Sequence, residues 1–152
     1  MPFTLFARCS FSDKIYGLKM NKSHKHIGVA IIINDKKEIL IDRRLPTGVM
    51  ANLWEFPGGK IERGETPEDC IIREIKEELG VVVRCDRIFA EITHDYEQFT
   101  VTLYVYLCHI CQGKPQPLEC AEILWVKPHE LSQFEFPSAN QEIISKLQKE
   151  FS

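Results

Sequence analysis

Residues 59–81 read GKIERGETPEDCIIREIKEELGV, and this stretch decides the fold. It predicts a glycine-containing loop followed by one helix with a marked beginning and end. Thr66 is a preferred N-cap residue, Pro67 suits the first helical position, and Gly80 is a typical residue just after a helix. Acidic residues in the first turn, Glu68 and Asp69, favour the same beginning because they complement the helix dipole.

The predicted helix carries an acidic stripe beside an apolar one. At about 100° per residue, Glu74, Glu77 and Glu78 fall within one sector. The neighbouring sector is apolar and contains Ile71, Ile72, Ile75 and Leu79. Like charges at these spacings destabilise an isolated helix by roughly 0.2–0.5 kcal/mol per pair, and we expect Arg73 and Lys76 to point away from them. A divalent cation, Mg²⁺ or Mn²⁺, is therefore the expected partner, with a solvated acidic face as the alternative.

The flanking sequence predicts a mixed β-sheet with a second helix near the C-terminus. Strand-like runs occupy 27–33, 38–43, 53–56, 81–83, 88–93, 100–110 and 123–126. The first two runs flank the turn-forming residues 34–37 and predict a hairpin. Ser138 and Gln141 have the spacing of a capping box before the apolar residues of the last helix. Together these elements predict an α/β protein.

The length, charge and cysteine content exclude several classes of protein but do not identify the function. The 152 residues suffice for one domain, and the net charge of −3 argues against binding to duplex nucleic acid. We expect an N-terminal extension over residues 1–22 and a single domain over 23–152. The apolar run 27–33 is too short to cross a membrane. Six cysteines are too few for a disulfide scaffold and indicate free thiols, so we expect a cytoplasmic protein.

Every fixed position of the Nudix box is matched in this sequence. The matching residues are Gly59, Glu65, Arg73-Glu74-Ile75, Glu77-Glu78 and Gly80-Val81. The sequence therefore resembles the Nudix hydrolases. This resemblance implies an α/β/α sandwich with a central mixed β-sheet flanked by helices. Within this family, the sequence is similar to the MutT branch in segments 43–44, 50–52, 55–62 and 136–140. Members of that branch hydrolyse 8-oxo-dGTP to the monophosphate and pyrophosphate, which removes the oxidised nucleotide from the nucleotide pool. Alternatives are another nucleoside diphosphate derivative as substrate, or a non-catalytic module that recognises oxidised guanine.

The resemblance also implies roles for individual residues. The expected metal ligands are Glu74, Glu77, Glu78, a backbone carbonyl of Gly58 or Gly59, and Glu119, with Glu122 as the competing choice for the last. Glu74 is the expected general base and Glu65 the alternative. Arg73 is expected to pair with Glu65 and to orient the loop. The implied cofactor is Mg²⁺, with Mn²⁺ as a substitute.

The expected substrate-binding residues are Arg44, Glu55, Phe56, Pro57, Gly58 and Asn140. An amide at Asn140 offers both a donor and an acceptor, which matches the O6 acceptor and the N7–H donor of 8-oxoguanine. His94, Tyr96 and Phe99 are further candidates to face the nucleotide, with packing as the alternative. Val49 stands where some MutT relatives have a histidine, so the contacts of that histidine are not carried over. The implied partner is a small nucleotide, and we expect a monomer.

Overall fold

The computed structural model of the protein describes residues 22–151. The strands in this range are β1 (Ser23–Ile32), β2 (Ile39–Arg43), β3 (Trp54–Glu55), β4 (Gly58–Lys60), β5 (Val82–Asp95), β6 (Phe99–Gln112) and β7 (Glu122–Val126). The helices are α1 (Pro67–Leu79) and α2 (Gln141–Phe151), and short 3-10 helices span Pro128–Gln133 and Ser138–Asn140. The predicted N-terminal extension, apart from Lys22, lies outside the described residues.

The strands form two sheets between two helical layers. One sheet has the order β4-β1-β6-β5, with β1 and β6 parallel and the other pairs antiparallel, and the second is antiparallel with the order β3-β2-β7. Side chains of β1 alternate between two cores. Ala30 and Ile32 lie in the core that contains buried side chains of α1, whereas Val29 and Ile31 lie in the core that contains those of α2. The predicted α/β/α sandwich with a mixed sheet is confirmed.

Helix α1 begins and ends as predicted. The Thr66 hydroxyl accepts a hydrogen bond from the backbone N–H of Asp69 at 3.1 Å, and Gly80 closes the helix at φ 72°. Cys70, Ile71, Ile75 and Leu79 are buried, whereas Ile72, which was expected in the apolar sector, is 38% exposed. Each fully buried Ile or Leu contributes on the order of 1.5–3 kcal/mol. That burial outweighs the roughly 0.2–0.5 kcal/mol cost of each like-charge pair on the same helix.

The turn of the predicted β1–β2 hairpin is present, but the prediction that the two strands pair along their length is wrong. The side-chain oxygen of Asn34 accepts hydrogen bonds from the backbone N–H groups of Lys36 and Glu38, so the turn is present. The two strands meet only at the Ile33–Ile39 bridge, because β2 pairs with β3 and β7 in the other sheet. This divergence places the end of β2 beside β3, next to the carboxylates of α1.

Two predicted boundaries also change. The runs 81–83 and 88–93 belong to one long strand, β5, whose pairing with β6 continues through three register shifts. The capping-box prediction at Ser138 is wrong, because its hydroxyl hydrogen-bonds His94 Nε2 at 3.2 Å and does not cap α2. Among residues 22–151, the five cysteines are free thiols, and no helix is long and apolar enough to span a membrane.

Candidate active site

A cavity of about 420 Å³ gathers most of the residues expected to bind the substrate. Its lining includes Arg44, Glu55, Phe56, Gly58, Gly59, Glu74, Glu78 and Asn140. Strands β1 and β6 supply apolar walls through Ile27, Val29, Val101 and Leu103. Pro57 is not part of the lining; it is buried, and its carbonyl accepts a hydrogen bond from Ala30 at 2.8 Å. The cavity therefore joins an apolar wall to a carboxylate-rich end.

Glycines at 58 and 59 allow β4 to pass between β1 and α1. Gly58 pairs with Val29 and Gly59 with Gly28. A Cβ atom at Gly58 would lie 2.0 Å from the carbonyl oxygen of Gly28, and one at Gly59 would lie 2.2 Å from Glu74 Cδ. A side chain at position 58 would collide with backbone, and one at position 59 would displace Glu74, so the glycine pair allows β4 to lie against both β1 and the Glu74 carboxylate.

Arg73 connects the loop before α1 to the acidic residues of the helix. Its Nε donates to Glu65 Oε2 at 2.7 Å and its Nη2 to Glu65 Oε1 at 2.9 Å. Its Nη1 donates to Glu74 at 2.9 Å and lies 3.5 Å from Glu77. The expectation that Arg73 points away from the acidic residues is therefore wrong, because its long side chain reaches back over them. The Arg73–Glu65 pair, expected from the family resemblance, is present in the structure.

Glu65 is held in its charged form by these contacts. The hydrogen bonds from Arg73 and from the backbone N–H of Glu62 lower the pKa of Glu65 to about 2. Glu65 does not line the 420 Å³ cavity, whereas Glu74 does. A carboxylate with so low a pKa is a weak general base at neutral pH, because it has little tendency to take up a proton.

Four carboxyl groups are neighbours where the end of β2 faces the C-terminal half of α1, without converging on one point. Glu78 lies close to Asp42, Glu55 and Glu74, and burial together with these neighbours raises the pKa of Glu78. Burial and the nearby Glu55 likewise raise the pKa of Asp42. The sequence reading missed Asp42, although an acidic residue in the apolar run ILID was a signal that a buried strand carries a carboxylate.

A second cavity, of about 200 Å³, adjoins this carboxylate cluster. Its lining comprises Asp42, Arg44, Leu45, Thr47, Glu55, Glu78, Glu119 and Cys120. Glu119 therefore shares a cavity with Glu78, as its expected role as a ligand requires. Glu122, the competing choice, forms an ion pair with Arg43 at 2.8 Å and does not line this cavity.

The donor set suits a hard divalent cation. It consists of carboxylates and backbone carbonyls, the ligands that Mg²⁺ and Mn²⁺ prefer. Within residues 22–151, no three Asp, Glu, His or Cys side chains converge closely enough to ligate one ion. Glu74 is directed towards Arg73, and Glu77, with its side chain 50% exposed, lines neither cavity. The fit rests on Glu78, Glu74 and the Gly58–Gly59 backbone, which the 420 Å³ cavity already holds together.

The other end of the cavity is built by the 3-10 helix that carries Asn140. The Tyr96 hydroxyl accepts a hydrogen bond from the backbone N–H of Ala139 at 3.0 Å. Tyr96 and Phe99 line the cavity, as one sequence interpretation expected, whereas His94 is engaged by Ser138 outside the lining. Lys25 Nζ lies 4.1 Å from the centre of the Phe99 ring. This end offers aromatic faces and one amide, which suits a nucleobase.

Arg44 lies between the aromatic end and the carboxylate-rich end of the 420 Å³ cavity. Its Nη1 donates to Glu55 Oε2 at 2.9 Å and its Nε to the Val49 carbonyl at 3.0 Å. Arg44 and Glu55 line both cavities. A guanidinium beside the carboxylate cluster is well placed to contact an anionic ligand, since it carries a permanent positive charge.

Comparison with known proteins places this geometry in a family. Residues 28–146 match the model of the NUDIX domain. The chain is 38% identical to the 8-oxo-dGTP diphosphatase of Escherichia coli K12, over 81% of this chain and 95% of that protein. It is 34% identical to the 8-oxo-dGTP diphosphatase of Haemophilus influenzae, over 86% and 96% respectively. The MutT protein of Methanosarcina mazei superposes with a TM-score of 0.76 at 23% identity, covering 86% of this chain and 96% of that one, and supports the fold. The sequence resemblance is thus confirmed, and the chain belongs to the Nudix family of hydrolases.

Proposed function

We propose that the protein hydrolyses 8-oxo-dGTP, or a related oxidised purine nucleoside triphosphate, to the monophosphate and pyrophosphate. One observation carries this proposal: a single cavity of about 420 Å³ joins the Asn140 amide and aromatic walls to Gly58, Gly59, Glu74 and Glu78. A base at one end would place its phosphates at the other. The names of the relatives support the same substrate. The proposed role is removal of oxidised nucleotides from the DNA precursor pool.

We assign the metal to Mg²⁺, with Mn²⁺ as a substitute. The groups that would hold it are the carboxylates of Glu74, Glu77, Glu78 and Glu119 and a backbone carbonyl of Gly58 or Gly59. When bound, the cation would neutralise phosphate charge and lower the pKa of the attacking water. Glu119 is preferred to Glu122 because it lines the same cavity as Glu78, whereas Glu122 is paired with Arg43.

In the proposed reaction, water adds to a substrate phosphorus, the phosphoanhydride bond breaks, and pyrophosphate leaves. Glu74 takes the proton of the water. It lines the cavity, whereas Glu65 lies outside the lining and has a pKa lowered to about 2 by Arg73.

Arg73 acts as a positioning residue, because its contacts with Glu65 and Glu74 tie the loop to the helix. Arg44 would contact the nucleotide, and Phe56 would line the base pocket. We also propose that the protein acts as a monomer with a single catalytic domain over residues 23–152.

A substrate panel tests the proposal. We expect kcat/KM for 8-oxo-dGTP to exceed that for dGTP by about fivefold to 150-fold, because an unmatched buried polar group costs about 1–3 kcal/mol. The panel includes other dNTPs, ADP-ribose and diadenosine polyphosphates, with release of pyrophosphate or phosphate as the measurement. Equal turnover of 8-oxo-dGTP and dGTP would refute the substrate assignment. Binding of the oxidised nucleotide without any hydrolysis would instead indicate a recognition module.

Replacement of Asn140 tests how the base is distinguished. Asn140→Ala removes both the donor and the acceptor, so the preference for 8-oxo-dGTP over dGTP is expected to fall by about tenfold to a hundredfold. The ratio of the two kcat/KM values measures this effect. Gln141→Ala, the exposed neighbour at the start of α2, serves as the control and should keep the wild-type ratio. Equal losses on both nucleotides would show that Asn140 only supports the 3-10 helix.

A further inference from the structure

Two cysteines lie side by side on the neighbouring strands β5 and β6. Cys85 and Cys108 are register partners in this antiparallel pair. The thiol of Cys108 donates a hydrogen bond to the sulfur of Cys85, with an Sγ–Sγ distance of 3.8 Å. The thiols of Cys70, Cys111 and Cys120 instead donate to backbone carbonyls. Strand pairing therefore brings the sulfur atoms of Cys85 and Cys108 into contact.

The backbone at this pair is compatible with a disulfide bond. Directly opposed residues of an antiparallel pair have Cα atoms roughly 4.5–5.5 Å apart. A disulfide spans roughly 4.4–6.8 Å between Cα atoms. The pairing of β5 with β6 shifts register between Cys85 and Arg87, and such an irregularity interrupts the hydrogen-bonded ladder locally. A change of side-chain rotamer with a small adjustment of β5 can therefore bring the two sulfur atoms to bonding distance.

The two thiols differ in their exposure to solvent. Cys85 is half-buried, whereas Cys108 is 0% exposed and lies in the core that contains the apolar side of α1. A small oxidant in solution therefore reaches Cys85 first. The hydrogen bond from Cys108 lowers the pKa of Cys85, against the opposing effects of burial and of the carboxylates of Glu68 and Asp86. Because the thiolate is the nucleophilic form of a cysteine, the same contact favours reaction at Cys85.

We propose that Cys85 and Cys108 form a dithiol modification site, which hydrogen peroxide converts to a reversible disulfide. The Cys85 thiolate attacks one peroxide oxygen, the O–O bond breaks, and Cys85 becomes a sulfenic acid while hydroxide leaves and takes up a proton. The Cys108 sulfur then attacks the Cys85 sulfur. The S–O bond breaks, the S–S bond forms, and the oxygen leaves as water with the Cys108 proton. Two thiols are thus oxidised, and the peroxide is reduced to two water molecules.

This dithiol site is separate from the proposed nucleotide site. Cys85 and Cys108 are outside the linings of both the 420 Å³ and the 200 Å³ cavity. The inference therefore depends neither on the substrate nor on the metal proposed above. Oxidation would tie β5 to β6 beside the core on which α1 packs. An external dithiol would restore both cysteines by thiol–disulfide exchange.

Peptide mapping of the full wild-type chain tests this assignment. The reduced protein is treated with hydrogen peroxide, its remaining thiols are blocked with iodoacetamide, and its proteolytic peptides are identified by mass spectrometry. We expect the peptide that contains Cys85 to be linked to the peptide that contains Cys108, and dithiothreitol to release this link. Cys111 is an exposed thiol only three residues from Cys108, so Cys111→Ser is the matched control and should form the same link.

Two further measurements test the order of the steps and the role of the fold. In Cys108→Ala, the sulfenic acid at Cys85 should persist and be trapped by dimedone, because its partner thiol is missing. In urea, which removes the pairing of β5 with β6, the link should become a minor product among the six cysteines of the chain. Absence of the link in the folded wild type, its loss in Cys111→Ser, or an equal yield in urea would overturn the inference. Since the wild-type mapping needs no variant, misfolding of Cys108→Ala would not affect that result.

Discussion

Replacement of Glu78 by glutamine is expected to lower kcat for 8-oxo-dGTP by at least about 10²–10³-fold, the range observed when one electrostatic group is removed from a catalytic site. Glu78 lines both cavities, as Glu55 does, and lies close to Asp42, Glu55 and Glu74. Glutamine keeps the shape but loses the charge that would hold the cation. Steady-state turnover over a range of Mg²⁺ concentrations measures the effect. Glu68→Gln, an exposed residue in the first turn of the same helix, should retain wild-type turnover.

The fold of the Glu78→Gln variant is checked by its stability without metal. Burial raises the pKa of Glu78 above its ordinary value of 4.5, so the folded state holds this proton more tightly than the unfolded chain. The resulting stabilisation is fully present below about pH 4.5 and is lost as the pH rises. In EDTA, the variant should therefore gain Tm relative to the wild type as the pH increases from 5 towards 9. Turnover within tenfold of the wild-type rate in a folded variant would remove Glu78 from the metal site.

The parts of the site that the sequence predicts depend on local chemistry. Thr66, Pro67 and Gly80 act on the backbone beside them, so the bounds of α1 follow from residue type and spacing. The resemblance to the Nudix box also implies that Glu74 and a backbone carbonyl of Gly58 or Gly59 lie close together. It does not predict the path of the Arg73 side chain, because a helical wheel gives the direction of the Cα–Cβ bond and not the reach of a long flexible side chain.

The parts that the sequence does not predict depend on long-range pairing. Alternating apolar residues indicate that 27–33 and 38–43 are strands, but not that β2 leaves β1 for another sheet. Asp42 acquires its significance from that divergence, since it faces Glu55 and the end of α1 only there. Ser138 similarly bonds His94, 44 residues away along the chain, in preference to the adjacent helix. Such outcomes depend on which distant group is closest in the folded protein.

Alanine substitutions at Gly58 and Gly59 form a matched pair that distinguishes an effect on folding from an effect on catalysis. Neither residue has a positive φ, so alanine is compatible with both backbone conformations, and the effect of each substitution comes from the added methyl group. At Gly58 this group would lie 2.0 Å from the Gly28 carbonyl oxygen, which is backbone on the neighbouring strand. Gly58→Ala must therefore separate β4 from β1. We expect a loss of about 1–3 kcal/mol or more in the free energy of unfolding, measured by urea denaturation.

At Gly59 the added methyl group would lie 2.2 Å from Glu74 Cδ, near the end of a flexible side chain that can turn aside. Gly59→Ala should therefore lose less stability than Gly58→Ala but displace the proposed base. A displacement of about 1 Å in a catalytic group can cost on the order of 10²-fold in rate, and we expect a fall of that size in kcat. When Glu74→Ala is already present, adding Gly59→Ala should lower kcat little further, because Gly59→Ala acts through the same carboxylate. Full activity in Gly59→Ala, or independent losses in the double variant, would show that the close contact between Gly59 and Glu74 does not position the base.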